Sequence, residues 1–268
     1  MSVDLHPRNR SFFWRQPAPP FSFVGERDAR DYGASGYFVC RGAFTPAEMA
    51  AVVEAIDPLE AETEAFLRTR KDGTFGIARA GEITFHPHLV ARSPALREFS
   101  KHPVLLGLVR DLIGPDVRLY WDQSVYKKPE TRKEFPWHQD NGYTYVEPQQ
   151  YLTCWVALTD ATLGNGCPWL VPGLHLHGTL KHWWTPLGYR CLEAADGAVP
   201  VELEAGSIAV FSSLTPHRTG PNLTDGVRKA YILQYAPEGA TIFREGASPE
   251  PANASERQYL VLKDGLPA

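Results

Sequence analysis

Two side chains with metal-binding chemistry lie two residues apart in the segment Phe-Pro-Trp-His-Gln-Asp, which ends at Asp140. Side chains on a β-strand alternate between its two faces, so His138 and Asp140 would project to the same side of a strand. A neutral imidazole and a carboxylate that converge on one point are suitable ligands for a divalent transition metal. Such a triplet also arises by chance at surface or core-rim positions, so further ligands are needed to predict a metal site.

A third ligand is offered by His217, which follows the apolar run 208–211 and enters a turn rich in Gly and Pro. Two histidines and one carboxylate form the facial triad of non-haem Fe(II) oxygenases, which leaves coordination positions open. Arg228 follows His217 by eleven residues and opens the strand-like run Arg-Lys-Ala-Tyr-Ile-Leu-Gln-Tyr. A guanidinium can hold a carboxylate through two parallel hydrogen bonds, which suits a dicarboxylate co-substrate.

Two other histidine pairs compete for a metal. His86 and His88 flank a proline, and His175 and His177 follow a glycine turn. Neither pair has a carboxylate in register, so we rank both below the first triad. His86 is kept as a candidate for the lining of a substrate pocket.

The elements that would position these side chains change in type along the chain. Thr45-Pro46-Ala47-Glu48 predicts a helix start with a capping box, and a second helix is predicted from Ser93-Pro94 to Ile113. Short apolar runs separated by turn clusters then predict strands at 117–126, 151–158, 168–171, 199–203, 208–211 and 228–235. Helices followed by many strands indicate one α+β domain, with the helices packed outside a β sandwich or barrel.

The composition excludes several classes of protein. The 268 residues include 27 Lys and Arg against 31 Asp and Glu, without a basic run that would indicate nucleic acid or an anionic membrane as a partner. No apolar stretch approaches the roughly 18–20 residues that span a bilayer, and the first residues have no apolar segment typical of a secretory signal. The four cysteines are scattered. We therefore expect a cytoplasmic protein with unpaired thiols.

Several longer stretches appear in an order that resembles the phytanoyl-CoA dioxygenase family of Fe(II)/2-oxoglutarate oxygenases. They are YWDQSVYKKP, WHQDNGYTY, LTCWVALTDATLGNGCPWLVPGLH and GSIAVFSSLTPHRTGPNLTDGVRKAYILQY, preceded by the opening DYGASGYFVCRGAFTPAEM. Where many relatives have Pro-Gly-Ser-His, this chain has Leu174 before His175, a change confined to a turn.

This resemblance implies a double-stranded β-helix core, also called a jelly-roll or cupin-like core, with flanking N-terminal helices. It implies one domain over residues 1–268, with an irregular arm at 1–30, mainly helical support at 31–116, the β core at 117–237 and a C-terminal extension at 238–268.

The resemblance also assigns the site. His138, Asp140 and His217 match the family's Fe(II) ligands, and Arg228 matches the arginine that grips the distal carboxylate of 2-oxoglutarate. Three further residues fall at or beside positions of polar contacts to the co-substrate, and two tryptophans fall in a loop near the barrel mouth, where they are candidates for a substrate lid. These are Gln123, Thr153 and Trp155 for the co-substrate, and Trp183 and Trp184 for the lid.

The activity implied by the resemblance is hydroxylation of an unactivated C–H bond of a small organic molecule. Dioxygen would be consumed, and 2-oxoglutarate would be converted to succinate and CO2. Asp140 favours hydroxylation because related halogenases carry a small residue there. A non-catalytic cupin-like binding module and a zinc hydrolase are the alternative readings. No residue pattern specifies the primary substrate or the oligomeric state.

Overall fold

A computed structural model describes residues 3–129 and 131–268. Its helices lie in the first half of the chain: α1 (Glu26–Ser35), α2 (Pro46–Thr69), α3 (Pro94–Phe99) and α4 (Pro103–Leu112). The N-terminus of α2 carries the predicted capping box, because Thr45 and Glu48 each bond to the other's backbone N–H. No helix in the described ranges is long and apolar enough to cross a membrane.

The helix predicted over residues 93–113 is wrong in one respect, because the structure divides it into α3 and α4. The break falls before Pro103, whose ring disfavours helical backbone in the residue that precedes it. His102 then caps α4, its Nδ1 accepting from the Val104 N–H at 3.2 Å. The spacing of apolar residues in the sequence does not by itself predict this break.

The strands follow along the rest of the chain and are numbered in sequence order. The earlier strands are β1 (Tyr37–Cys40), β2 (Thr74–Phe75), β3 (Ala78–Arg79), β4 (Ile83–Pro87), β5 (Val117–Lys127), β6 (Phe135–His138), β7 (Tyr145–Glu147), β8 (Leu152–Ala157) and β9 (Pro168–Leu170). The later strands are β10 (Trp183–Thr185), β11 (Gly188–Arg190), β12 (Val199–Pro200), β13 (Ile208–Ser212), β14 (His217–Thr219), β15 (Arg228–Pro237), β16 (Thr241–Phe243), β17 (Glu250–Pro251), β18 (Leu260–Lys263) and β19 (Leu266–Pro267).

Two antiparallel sheets form the core. The major sheet runs β1-β13-β8-β15-β5-β4-β3-β2, with β18 and β19 joined at β5, and the minor sheet runs β12-β9-β14-β6. Spatial neighbours are distant in sequence, as in the pairing of β8 with both β13 and β15. This order confirms the predicted jelly-roll architecture of mixed α and β type.

The two faces of the major sheet have different partners. On β8, Cys154 and Val156 pack with the helices in one hydrophobic cluster. Trp155 and Ala157 alternate with them and pack in a second cluster with Leu170 of the minor sheet. Alternation along the strand therefore separates a helix-covered face from a face that can line a site between the sheets.

The segments on either side of the core contribute more β structure than the sequence predicts. The range 31–116, expected to be mainly helical, also supplies β1 and β4, which pair with β13 and β5. The N-terminal arm is anchored by an isolated bridge between Leu5 and Leu180. All four cysteines are free thiols, as expected.

Candidate active site

The two predicted histidine ligands lie side by side on the minor sheet. His138 ends β6, His217 begins β14, and the two residues are directly paired across these strands. Their ring centroids are 4.1 Å apart. One ligand atom from each of His138, Asp140 and His217 lies within 4.8 Å of the others, and within the described ranges this is the one such group of three. The spacing suits a single metal ion.

Hydrogen bonds leave the same nitrogen of each histidine free for a metal. Nδ1 of His138 lies 2.8 Å from the Pro136 carbonyl oxygen, and Nδ1 of His217 lies 3.0 Å from that of Thr215. A carbonyl oxygen only accepts, so each Nδ1 carries the proton and each Nε2 presents a lone pair. Burial lowers the pKa of His138 to about 3 and that of His217 to about 4, which keeps both rings neutral. Neutral imidazoles are the form that binds metal.

Asp140 reaches the site from a short 3-10 helix rather than from the strand itself. The helix covers Asp140–Gly142 and follows directly after β6. Oδ1 of Asp140 lies 3.8 Å from Nε2 of His217, while Oδ2 accepts a 2.5 Å hydrogen bond from the Thr153 hydroxyl. Burial raises the pKa of Asp140, because removal from water disfavours the charged carboxylate. A divalent ion between the three side chains would supply that compensation.

Arg228 is outside the cavity lining, and its guanidinium has unused hydrogen-bond donors. Its side chain is fully buried, its Nη1 donates to the Val125 carbonyl at 3.2 Å, and its guanidinium lies 5.1 Å from the Trp155 ring centroid. Nε and Nη2 have no hydrogen-bond partner among the described residues. A buried guanidinium with two unused donors fits a carboxylate ligand. Burial lowers its pKa to about 10, so it stays charged at neutral pH.

Lys127 is a second buried basic side chain, and the sequence did not point to it. It is the register partner of Arg228, and its Nζ donates to Thr219 Oγ1 at 3.1 Å and to the Gly220 carbonyl. Burial, followed by repulsion from Arg228, lowers the pKa of Lys127 to about 6. The amine is therefore mostly neutral at pH 7, which leaves Arg228 as the charged group of this pair. The available signal was its position opposite Arg228, which only the strand register reveals.

The triad opens into a cavity of about 250 Å³ between the two sheets. Its walls are largely apolar and aromatic, and they also carry Gln123, Thr153 and Trp155 from the predicted co-substrate set. Thr153 is already committed to Asp140, and Gln123 accepts from the Trp121 indole at 3.1 Å. The structure therefore gathers the three predicted ligands and these three residues around one space, whereas Arg228 is outside the lining and contacts it through the Trp155 ring.

The remaining predicted residues are outside the lining of this cavity. Nδ1 of His86 lies 2.6 Å from the Thr63 hydroxyl, and His86 is outside the cavity lining. Trp183 and Trp184 lie on the β10–β11 hairpin, also outside the lining, with 37% and 55% of their surface exposed.

Trp184 nevertheless connects to the cavity through aromatic rings. Its ring centroid is 5.1 Å from that of Tyr189, which is 5.3 Å from that of Tyr143. Tyr143 lines the cavity and lies 5.3 Å from the His138 ring.

The family model for phytanoyl-CoA dioxygenase matches residues 32–230. This range contains the triad, Arg228, Gln123 and Thr153. The chain belongs to the phytanoyl-CoA dioxygenase family.

Individual relatives extend this comparison. A probable phytanoyl-CoA dioxygenase of Caenorhabditis elegans is 32% identical over 182 residues, which cover 62% of this chain and 56% of the relative. The chain thus spans little more than half the length of this curated relative.

Two solved structures share the fold. The carbocyclase SnoK from nogalamycin biosynthesis has a TM-score of 0.71 and 22% identity, over 88% of this chain and 96% of that one. The epimerase SnoN, solved with Fe3+, α-ketoglutarate and nogalamycin RO, has a TM-score of 0.66 and 23% identity, over 88% and 97%.

Proposed function

We propose that the chain is a non-haem Fe(II)- and 2-oxoglutarate-dependent dioxygenase. Its reaction is hydroxylation of an unactivated C–H bond of a small organic molecule, with release of succinate and CO2. One combination of features carries the proposal. The two histidines of the triad have Nε2 atoms that are free for a metal, and the buried Arg228 has no hydrogen-bond partner at Nε and Nη2 among the described residues. Family membership supports the same reaction class.

The residues present fit both groups that this reaction requires. His138, Asp140 and His217 would hold Fe(II), which when bound supplies the capacity to activate dioxygen, while 2-oxoglutarate supplies the electrons of its oxidative decarboxylation. Three protein ligands leave positions for the co-substrate, whose distal carboxylate Arg228 would hold. Gln123, Thr153 and Trp155 complete the proposed co-substrate surroundings.

The chain itself contributes orientation and exclusion of water. The Pro136 and Thr215 carbonyls fix the two imidazoles, and the Thr153 hydroxyl fixes the Asp140 carboxylate. The apolar walls keep bulk water away from the reacting carbon and strengthen the charge interactions inside the cavity. Trp183 and Trp184 are proposed to cover the mouth of the cavity, and His86 stays a proposed substrate-pocket residue, although it is outside the cavity lining.

We further propose that the protein works as one domain in the cytoplasm on a small-molecule substrate, without a nucleic acid or membrane partner. The four free cysteines support a reducing compartment. The cavity of about 250 Å³ supports a small substrate.

The test is succinate formation from 2-oxoglutarate under air with Fe(II) and ascorbate. We expect turnover by the wild type and by His177→Ala, an exposed histidine outside the triad, and loss of turnover in His217→Ala. Anaerobic Fe(II) titration should show weaker binding in His217→Ala alone. A wild type that binds Fe(II) but forms no succinate would favour the non-catalytic binding module.

A further inference from the structure

Two arginines beyond the family-matched range line the same cavity as the triad. Arg244 follows β16 and Arg257 precedes β18, whereas the family model ends at residue 230. The proposed iron ligands and Arg228 lie within that range. Arg244 and Arg257 therefore belong to the part of the cavity contributed by the C-terminal segment of this chain.

Arg257 is held in place but retains donors for a ligand. Nε of Arg257 lies 3.6 Å from Oε1 of Glu256, and Nη1 lies 3.4 Å from Nε2 of His88. Glu256 is 63% exposed, so its attraction is screened by water, and a guanidinium has five N–H donors. These contacts orient the head group without using all of its donors.

His88 accepts the hydrogen bond from Arg257 as a neutral imidazole. Its φ of 61° lies in the left-handed region, and its ring stands 4.3 Å from the Trp121 ring. Burial, followed by the charge of Arg257, lowers the pKa of His88 to about 4. A neutral imidazole beside a guanidinium adds no repulsion, and Trp121 next to it lines the cavity.

Charge in the cavity is unbalanced toward the positive. Among the described lining residues, Asp140 is the one with a carboxylate, and the proposed metal would neutralise its charge. Arg244 pairs with Glu250, which is 52% exposed and outside the lining. A ligand that enters beside Arg244 and Arg257 therefore meets two cations and no free protein carboxylate in the described lining.

Arg228 and Arg257 are held by different parts of the structure around β5. Arg228 starts opposite Lys127 at one end of β5, and its guanidinium reaches back to the row of Trp155. The guanidinium bonds to the Val125 carbonyl, whereas Arg257 is held by His88, whose ring lies against Trp121, four residues from Val125 or about 13 Å of extended strand. The co-substrate occupies the Arg228 end, so the other end is left for the substrate.

From this arrangement we infer that the primary substrate is a small carboxylic acid with an apolar body, and that Arg257, assisted by Arg244, binds its carboxylate. The inference rests on the proposed oxygenase function and adds a substrate class to it. The acid group lies at the Trp121 end of the cavity, and the apolar body extends along the aromatic walls toward the triad. Arg257 is thus a specificity residue, and His88 positions it.

The experiment compares acids with their neutral amides. Hexanoate, 3-phenylpropionate and N-acetylleucine, each with its primary amide, are titrated anaerobically by calorimetry into the enzyme loaded with Fe(II) and 2-oxoglutarate. Succinate release is then measured under air. The proteins are wild type, Arg257→Gln, Arg257→Lys, Arg244→Gln and the control Arg92→Gln, an exposed arginine paired with Glu62 outside the cavity.

We expect at least one acid to bind the wild type about tenfold or more tightly than its amide. Arg257→Gln should weaken the binding of that acid by about ten- to a hundredfold, because a charge-assisted hydrogen bond is lost. Arg257→Lys should retain part of the preference, Arg244→Gln should show a smaller loss, and Arg92→Gln should match the wild type.

Other outcomes separate the two proposals. A wild type that forms succinate but binds no acid more tightly than its amide would overturn the inference and leave the oxygenase function standing. The inference is also overturned if Arg257→Gln and Arg244→Gln both keep the full preference, or if hexanoyl-CoA binds more tightly than hexanoate. A wild type that forms no succinate counts against the oxygenase function, whereas the anaerobic comparison of acid and amide still tests the arginines.

Discussion

Main-chain carbonyl groups orient the two ligand imidazoles of this site. The Pro136 and Thr215 carbonyls each lie two residues before the histidine that they hold. The orientation of each ring is therefore a property of its own short segment, and distant side-chain changes should disturb it little. Asp140 differs, because its carboxylate is held by Thr153 from the opposite sheet.

The first prediction concerns Arg228. Arg228→Ala should raise the apparent KM for 2-oxoglutarate by at least about 30-fold, because loss of one partner of a buried charge pair costs about 2–5 kcal/mol. Arg228→Lys should recover only part of this, because an ammonium lacks the planar fork. Fe(II) affinity, measured anaerobically, should change far less than the KM in both variants.

A matched control exists on the neighbouring sheet. Arg218 lies on β14, between the Trp137 and Trp169 rings, and pairs with Glu134 outside the cavity. Arg218→Lys should leave the KM for 2-oxoglutarate unchanged. An unchanged KM in Arg228→Ala would place the co-substrate carboxylate elsewhere and remove a main support of the oxygenase proposal.

Local spacing explains which site residues the sequence could predict. The proposed ligands His138 and Asp140 are two residues apart, and their offset to His217 and Arg228 is part of the family resemblance on which the prediction rests. Lys127 and Arg257 carry no such local signal. Lys127 becomes visible only through its register with Arg228, and Arg257 only when the chain beyond β16 folds back over the cavity.

At the scale of single elements, β5 serves both faces of the major sheet. Gln123 faces the cavity, while its neighbour Asp122 points to the helix side and is fully buried. Oδ2 of Asp122 accepts from the Tyr231 hydroxyl at 2.9 Å and from the Val90 N–H at 3.2 Å. These bonds tie β5 to β15 and to the turn that precedes α3.

The second prediction concerns the pH dependence of stability through Asp122. Burial raises the pKa of Asp122 to about 6, from 3.8. A raised folded-state pKa adds stability that is fully present below pH 3.8 and is lost as the pH rises through 6. Asp122→Asn removes this dependence. Between pH 4 and pH 7, the unfolding free energy of the variant should therefore rise relative to that of the wild type by up to about 3 kcal/mol.

Urea unfolding at half-unit pH steps measures this difference. Asp196→Asn, at an exposed position, is the control and should follow the wild type throughout. Parallel curves for Asp122→Asn and wild type would show that Asp122 is ionised in both states and that its burial cost is met by the hydrogen bonds.

The third prediction concerns the short helix that carries Asp140. A Cβ on Gly142 would lie 2.0 Å from Cε1 of His182. That ring cannot move freely, because its Nε2 accepts from the Gln139 N–H at 3.0 Å and its Nδ1 lies 2.9 Å from the Leu180 carbonyl. Gly142→Ala should therefore displace Asp140, weaken Fe(II) binding and cost about 1–3 kcal/mol of stability.

Gly226→Ala is the matched control, because a Cβ there meets open space. Thermal melting and anaerobic Fe(II) titration of both variants give the comparison. If Gly142→Ala binds Fe(II) as tightly as Gly226→Ala does, the loop adjusts around His182 and the Asp140 carboxylate keeps its place.

Strands were predicted better than helix boundaries for a physical reason. β15 runs from Arg228 to Pro237, close to its predicted range, because buried apolar residues mark most of its length. α3 and α4 share one apolar face, so their periodicity continues across the break at Pro103. A proline at a first helical position and one inside a helix look alike in sequence, and α2 does contain Pro58.

At the scale of the whole molecule, the cavity is assembled from segments that are far apart in the chain. Ile77 and Ile83 precede the β core, the triad spans residues 138–217, and Arg257 lies near the C-terminal end. Closing such long-range contacts depends on the complete topology, so the shape of the cavity could not be predicted from local patterns. The β10–β11 hairpin joins this assembly through its partly exposed tryptophans and Tyr189.

The last prediction concerns this hairpin as a lid. Trp184 reaches the cavity only through Tyr189 and Tyr143, so Trp184→Ala should loosen the aromatic chain above His138. With a substrate found by the succinate screen, the share of succinate formed without hydroxylated product should rise severalfold. Since Trp184 is 55% exposed, its removal should change stability by no more than about 0.5 kcal/mol.

Phe13→Ala, which removes an aromatic ring that is 81% exposed on the N-terminal arm, controls for loss of exposed apolar surface. Product and succinate are quantified together in each variant, and melting temperatures are recorded alongside. Trp184→Ala with unchanged coupling would show that the hairpin does not close over the substrate. A large fall in melting temperature would instead assign Trp184 a packing role, because only a ring that supports the fold would destabilise the protein when truncated.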